Sequence, residues 1–155
     1  MADAPDSEPA GSGAPLDDRP ERLLIAVRQE QEDGPRYLFV RWPDWPHPAM
    51  LSLAPPARWD SVREAVGDLL AARLSVTCTE EPRRASTRVP VRMAHPRMGG
   101  DGVGWLRPVA VTVEGDPTPD ALLEAVEALT VEEALEQLPT EVERIVLRQA
   151  EALFD

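Results

Sequence analysis

The chain has 155 residues, 43% of them hydrophobic, with a net charge of −12 and a pI near 4.6. That length fits one domain with a sizeable core, and the charge excludes general affinity for nucleic acid or an anionic membrane surface. No apolar run approaches the roughly 20 residues of a membrane span, and a single cysteine, Cys78, excludes an intrachain disulfide.

The charge is uneven. Residues 1–21 carry about −5, residues 22–81 about −2, residues 82–113 about +5 and residues 114–155 about −10. Every basic residue is Arg, with no Lys or Asn, which reads as GC-rich coding bias. Residues 1–20, rich in Pro, Ala, Gly, Ser and acids, bury too little apolar area to offset ordering entropy. They are expected to form a disordered acidic tail rather than a signal peptide, with residues 21–155 as the folded domain and the cytoplasm as compartment.

Leu23–Val27 is the first predicted strand, and Asp33-Gly34 marks a turn into a second at Tyr37–Arg41, giving a hairpin. Trp42–Pro48, WPDWPHP, is too proline-rich for helix or inner strand and is expected as a stiff loop. A short strand at Met50–Leu53 follows. Val62, Ala65, Val66, Leu69, Leu70 and Arg73 recur at helical spacing, so a helix is expected over Ser61–Arg73, opened by a capping box at Ser61 and Glu64. Ser75–Thr79 and Ser86–Ala94 are strand candidates, Pro90 marking an edge or bulge. Met98–Gly104 reads as a glycine-rich turn and Trp105–Gly115 as a long strand. Residues 117–129 are ambiguous. Ala121–Val126 has helix propensity, yet a turn or short helix leading into a strand near Ala128–Val131 fits equally. Thr130 with Glu133, and Thr140 with Glu143, open two last helices, the second with an apolar stripe of Val142, Ile145, Val146, Ala150, Leu153 and Phe154.

Met50–Val76, MLSLAPPARWDSVREAVGDLLAARLSV, resembles in spacing the signature box of the Nudix hydrolases. That pattern runs Gly, five residues, Glu, seven residues, Arg-Glu-apolar-any-Glu-Glu-any-Gly-apolar. Its glutamates share one helical face and hold Mg²⁺ against a substrate diphosphate. Here the first Gly position falls on Ala54 and the first Glu on Asp60. Arg-Glu falls on Asp68-Leu69, Glu-Glu on Ala72-Arg73, the last Gly on Ser75, and the apolar positions on Leu70 and Val76. The order of elements from about Arg22 to Phe154, ending in a terminal helix, is similar to that family, and so is the C-terminal passage ALTVEEALEQLPTEVERIVL, where a strand end leads to an EEAL helix. The resemblance implies an α/β fold, an α/β/α sandwich with a mixed sheet.

The helical metal ligands are replaced by Leu69, Ala72 and Arg73, so the resemblance implies a non-catalytic module binding a nucleotide-type ligand or a protein, with no cofactor. Arg73 would contact phosphate in place of a metal, with Trp45 stacking on the ligand, and Arg88 and Arg92 of the basic strip could add phosphate contacts. The strip also reads plainly as a solvated edge. The alternative is a divergent Mg²⁺-dependent hydrolase of nucleoside diphosphate-linked compounds that recruits Asp60, Glu64 and Asp68. Those acids are spaced i, i+4, i+8, and read structurally they are a helix start and a solvated face. Neither His47 nor His95 has an acidic or cysteine partner at a metal spacing. Gly99, Gly100, Gly102 and Gly104 fit no phosphate-loop spacing. Cys78, in an alternating segment, reads as a structural thiol. The sequence leaves the oligomeric state open.

Overall fold

The computed structural model describes residues 21–94 and 101–154. The predicted tail at 1–20, together with His95, Arg97, Gly99 and Gly100, lies outside the described residues.

Strand β1 (Glu21–Gln31) contains LLIAV, a run buried residue by residue. A continuous apolar run suits a strand covered on both faces. Leu23, Ile25 and Val27 point into one core, and Leu24 and Ala26 into a second on the opposite face. A turn at Glu32-Asp33 leads to Gly34, whose φ of 123° is easy only for glycine, and then to β2 (Gly34–Arg41), antiparallel to β1. β2 divides the same way, with Leu38 and Val40 in the first core and Tyr37 and Phe39 in the second. After the Trp/Pro loop, β3 (Leu51–Leu53) pairs with β1.

The sheet continues through β4 (Thr77–Cys78), β5 (Arg83–Arg84) and β6 (Val89–Ala94). All three pair antiparallel with the long β7 (Asp101–Glu114), which itself runs parallel to β1. Gly102 and Gly104 lie within β7, paired with Met93 and Val91, so only part of the expected glycine turn could be one. β8 (Ala125–Leu129) pairs with β2. The central order is β4-β7-β1-β2-β8 in an eight-stranded mixed sheet. Pro90 sits on β6, which among the described residues pairs with β7 alone, an edge position that suits a proline without an N–H.

Helix α1 (Val62–Leu74) covers the first core with Val62, Val66, Leu70 and Leu74, each at most 2% exposed. Ala65, Leu69 and Arg73, expected on that face, are its half-buried flank. The expected capping box does not form: Ser61 makes no side-chain cap bond, and a 3₁₀ turn at Trp59–Ser61 leads into the helix instead. α2 (Val131–Gln137) does open with a full box, Thr130 accepting from the Glu133 N–H and Glu133 from the Thr130 N–H. Hydrogen bonds that Thr130 donates to it, from the backbone N–H first and then the side chain, hold the Glu133 carboxyl below its ordinary range. α3 (Glu141–Ala152) begins at Thr140, which accepts from the Glu143 N–H. Val146, Leu147 and Ala150 of α3 and Ala134 of α2 fill the second core. Helices on both faces of one mixed sheet make the expected α/β/α sandwich. No helix among the described residues is long and apolar enough to cross a membrane.

Candidate functional site

The C-terminal end of α1 is the most heavily tied point on that helix. Its last carbonyls would be orphaned, and the 116–124 loop answers them: Thr118 N–H donates to Leu74 O at 2.8 Å and Asp120 N–H to Arg73 O at 3.0 Å. The same loop brings the Asp120 carboxylate to Arg73, Nη1 to Oδ2 at 2.5 Å, with both side chains about three-quarters buried. Asp120 also accepts from the Leu122 N–H at 2.9 Å. Its carboxyl lies below the usual range, first because of the Arg73 hydrogen bond and then because of the Leu122 and Leu123 N–H groups. The Arg73 guanidinium lies 5.7 Å from the centroid of the Trp42 ring.

Arg73 is therefore neutralised from within the chain. The aromatic beside it is Trp42; Trp45, the residue chosen from the sequence, is 51% exposed and packs edge-on to His47 at 5.8 Å. Arg88 and Arg92 lie elsewhere. Arg88 stacks on Trp105 at 4.5 Å and pairs with Glu21, which Arg107 also holds. Arg92 borders a groove of about 550 Å³ beside Leu24, Leu106 and Val142, on the α3 face of the sheet, opposite α1. The four predicted ligand-binding residues do not form one site.

The predicted acids are not gathered either. Asp60 is exposed and held by Arg58 Nη2 at 3.0 Å, while Glu64 and Asp68 are exposed without an ion pair among the described residues. Among those residues no group of three or more His, Cys, Asp or Glu is placed to hold a metal ion. Burial pushes the Cys78 thiol up, against the pull of Arg63, which keeps it protonated and a poor nucleophile. Sequence reasoning missed Asp120, whose partner stands 47 residues away, and of the loop's tryptophans it set Trp45 rather than Trp42 beside Arg73.

α1 ends in a left-handed residue at the position where the box spacing sets its last glycine: Ser75 has φ 60° and ψ 34°. A side chain there costs roughly 1 kcal/mol or more, which is why helices stop this way on glycine. No protein-family model matches the sequence, and no curated protein does. Solved structures match in fold. A Listeria monocytogenes protein assigned to the Nudix hydrolases has a TM-score of 0.64 at 10% identity, over 84% of this chain and 91% of that one. The chain has the Nudix fold. The Nudix domain of Shewanella oneidensis NrtR, complexed with ADP ribose, gives a TM-score of 0.59 at 12% identity over 97% of this chain and 93% of that one. The C. elegans Ap4A hydrolase in a binary complex gives 0.58 at 11% over 87% and 97%. In the spacing of the box read from the sequence, the three helical carboxylate positions fall on α1 and hold a half-buried Leu69, an exposed Ala72 and the paired Arg73.

Proposed function

We propose that this chain is a Nudix-fold binding module that does not hydrolyse its ligand. It works in the cytoplasm and takes a nucleotide-type ligand or a protein partner without a metal cofactor. The observation that carries the reading is the Arg73–Asp120 pair. A guanidinium stands where the box spacing calls for a carboxylate, and Asp120, the acid that the folded loop brings to it, is spent on neutralising it. Affinity for a hard divalent cation depends steeply on the number of oxygen charges, and a fixed cation in the cluster opposes it. Asp60, Glu64 and Asp68 offer no substitute, since Asp60 is already paired and the three lie open to solvent.

Support for the nucleotide-type ligand comes at the level of the fold, from the ADP-ribose complex of the Shewanella domain. In this chain a phosphate has to share Arg73 with Asp120, which makes a weak subsite. The test is product release from a panel of nucleoside diphosphate derivatives with Mg²⁺ or Mn²⁺ and an EDTA control. No metal-dependent turnover is expected. Turnover that falls on changing Asp60, Glu64 or Asp68 to the amide would replace this reading by a rebuilt hydrolase. In a parallel ADP-ribose titration Arg73→Glu is expected to weaken whatever binding is present; unchanged affinity would remove Arg73 from the site.

A further inference from the structure

β8 is an outermost strand, and its backbone shows which groups are unspent. Val40 of β2 exchanges both its hydrogen bonds with Ala49, at 2.9 and 3.0 Å. Antiparallel pairing alternates along a strand, so Phe39 and Arg41 are the residues of β2 that face β8, opposite Glu127 and Ala125. Val126 and Ala128 then direct their N–H and C=O groups away from the sheet, and no described residue answers them. Such an edge is a template for one more strand.

Its surroundings specify what kind. From Glu114 to Gln137 the chain has eight acids and no basic residue. Arg73, Arg41 and Arg36 neutralise Asp120, Glu127 and Glu133, which leaves five exposed and unpaired among the described residues, Glu114, Asp116, Glu124, Glu132 and Glu136, the last three just before β8 and on α2 after it. The usual guard of an edge, a charge on the strand itself, is cancelled here by the Arg41–Glu127 bridge at 2.6 Å. Leu122 and Trp45, 59% and 51% exposed, are the exposed large hydrophobics among the described residues. Both stand at the Ala125 end of β8, Leu122 just before the strand and Trp45 in the loop that leaves Arg41.

We propose that the free edge of β8 takes an extended, basic segment of a partner protein as an added strand, with an apolar side chain of that segment against Leu122 and Trp45. The backbone groups demand an extended occupant. The acids select Lys and Arg, and they disfavour a second copy, whose own β8 would set like charges face to face. The proposal rests on the reading of the chain as a binding module. Its test makes no use of hydrolysis, so either can fail alone.

The probe is a labelled short peptide alternating Val and Arg, titrated with the full chain by fluorescence anisotropy, beside one alternating Val and Glu. The Arg peptide is expected to bind, more weakly at higher salt, and the Glu peptide not to bind. Ala128→Pro removes an N–H that the fold does not use, so it should weaken binding about tenfold or more with little change in Tm. Should that variant not fold, Glu124→Lys/Glu132→Lys/Glu136→Lys leaves the backbone intact and should abolish the preference for Arg. In the unaltered protein, amide exchange at Val126 and Ala128 should slow when the Arg peptide is added. Absence of Arg-peptide binding, equal binding by a folded Ala128→Pro, or no slowing at those two amides overturns the proposal. A dimer in sedimentation that Ala128→Pro splits also overturns it, by giving the edge to a second copy.

Discussion

The two ends of α1 behave as different kinds of surface. Toward the N-terminal end Asp60, Glu64 and Asp68 form a regular acidic row, open to solvent and joined only by one short-range contact to Arg58. At the C-terminal end a single arginine is fixed by an aspartate and an aromatic ring, and the backbone of a distant loop closes the helix. Periodic spacing thus produced a solvated face, while the tied end depends on a residue that no local pattern picks out. Charge on a helix becomes a site only where tertiary structure brings a second element against it.

The contrast can be broken in several ways. The largest effect belongs to the face between the two ends. Leu70→Ala empties a position that is 0% exposed and should cost about 2–5 kcal/mol in denaturant unfolding; a loss below 1 kcal/mol would mean that α1 is not held by its stripe. Ser75→Gly relieves a left-handed side chain and should raise stability by about 1 kcal/mol. A loss of stability would show that Ser75 is favoured by a contact beyond its backbone.

Arg73→Met should cost stability mainly above about pH 4 and converge with the unaltered protein in acid. Asp120 ionises more readily folded than unfolded, so its contribution is complete above the unfolded value, near pH 4, and disappears as pH falls through the folded one. Melting curves across that window should lose part of their slope in the variant; an unchanged slope would mean that Asp120 finds another donor. Asp68→Ala and Ser61→Ala should each stay within about 0.5 kcal/mol, since neither side chain makes a bond in the fold. A larger loss for Asp68 would give the acidic row a role that its exposure denies.

Much of the fold was legible because its signals are local. The LLIAV run, the turn glycine, the stripe at Val62, Val66 and Leu70, and the threonine caps at 130 and 140 all carry their own physics. The serine at 61 carried the same cap signal as Thr130 and failed, because a 3₁₀ turn leaves Ser61 at φ −91° and ψ 0°, outside the extended conformation that a cap needs. β8 was half hidden. AVEAL is good helix sequence, and pairing with Tyr37–Arg41 overrides that preference. β5 is two arginines with no apolar pattern, visible only as partners of Val109 and Ala110. At the candidate site the missing carboxylates could be read, but the fate of Arg73 could not, because Asp120 reaches it only through the folded loop.

The parallel ladder between β1 and β7 has a further consequence, for the order of events in folding. Glu21 meets Trp105 and Gln29 meets Val113, so the central pairing joins segments far apart in the chain. Contacts of such long range are slow to form, because loop-closure entropy is spent before they contribute. During synthesis LLIAV leaves the ribosome long before its parallel partner exists. Until then only the β1–β2 hairpin can shield it, and the hairpin covers neither apolar face. A chain cut short ahead of Trp105 would expose that strand permanently and should aggregate rather than persist as a smaller folded unit.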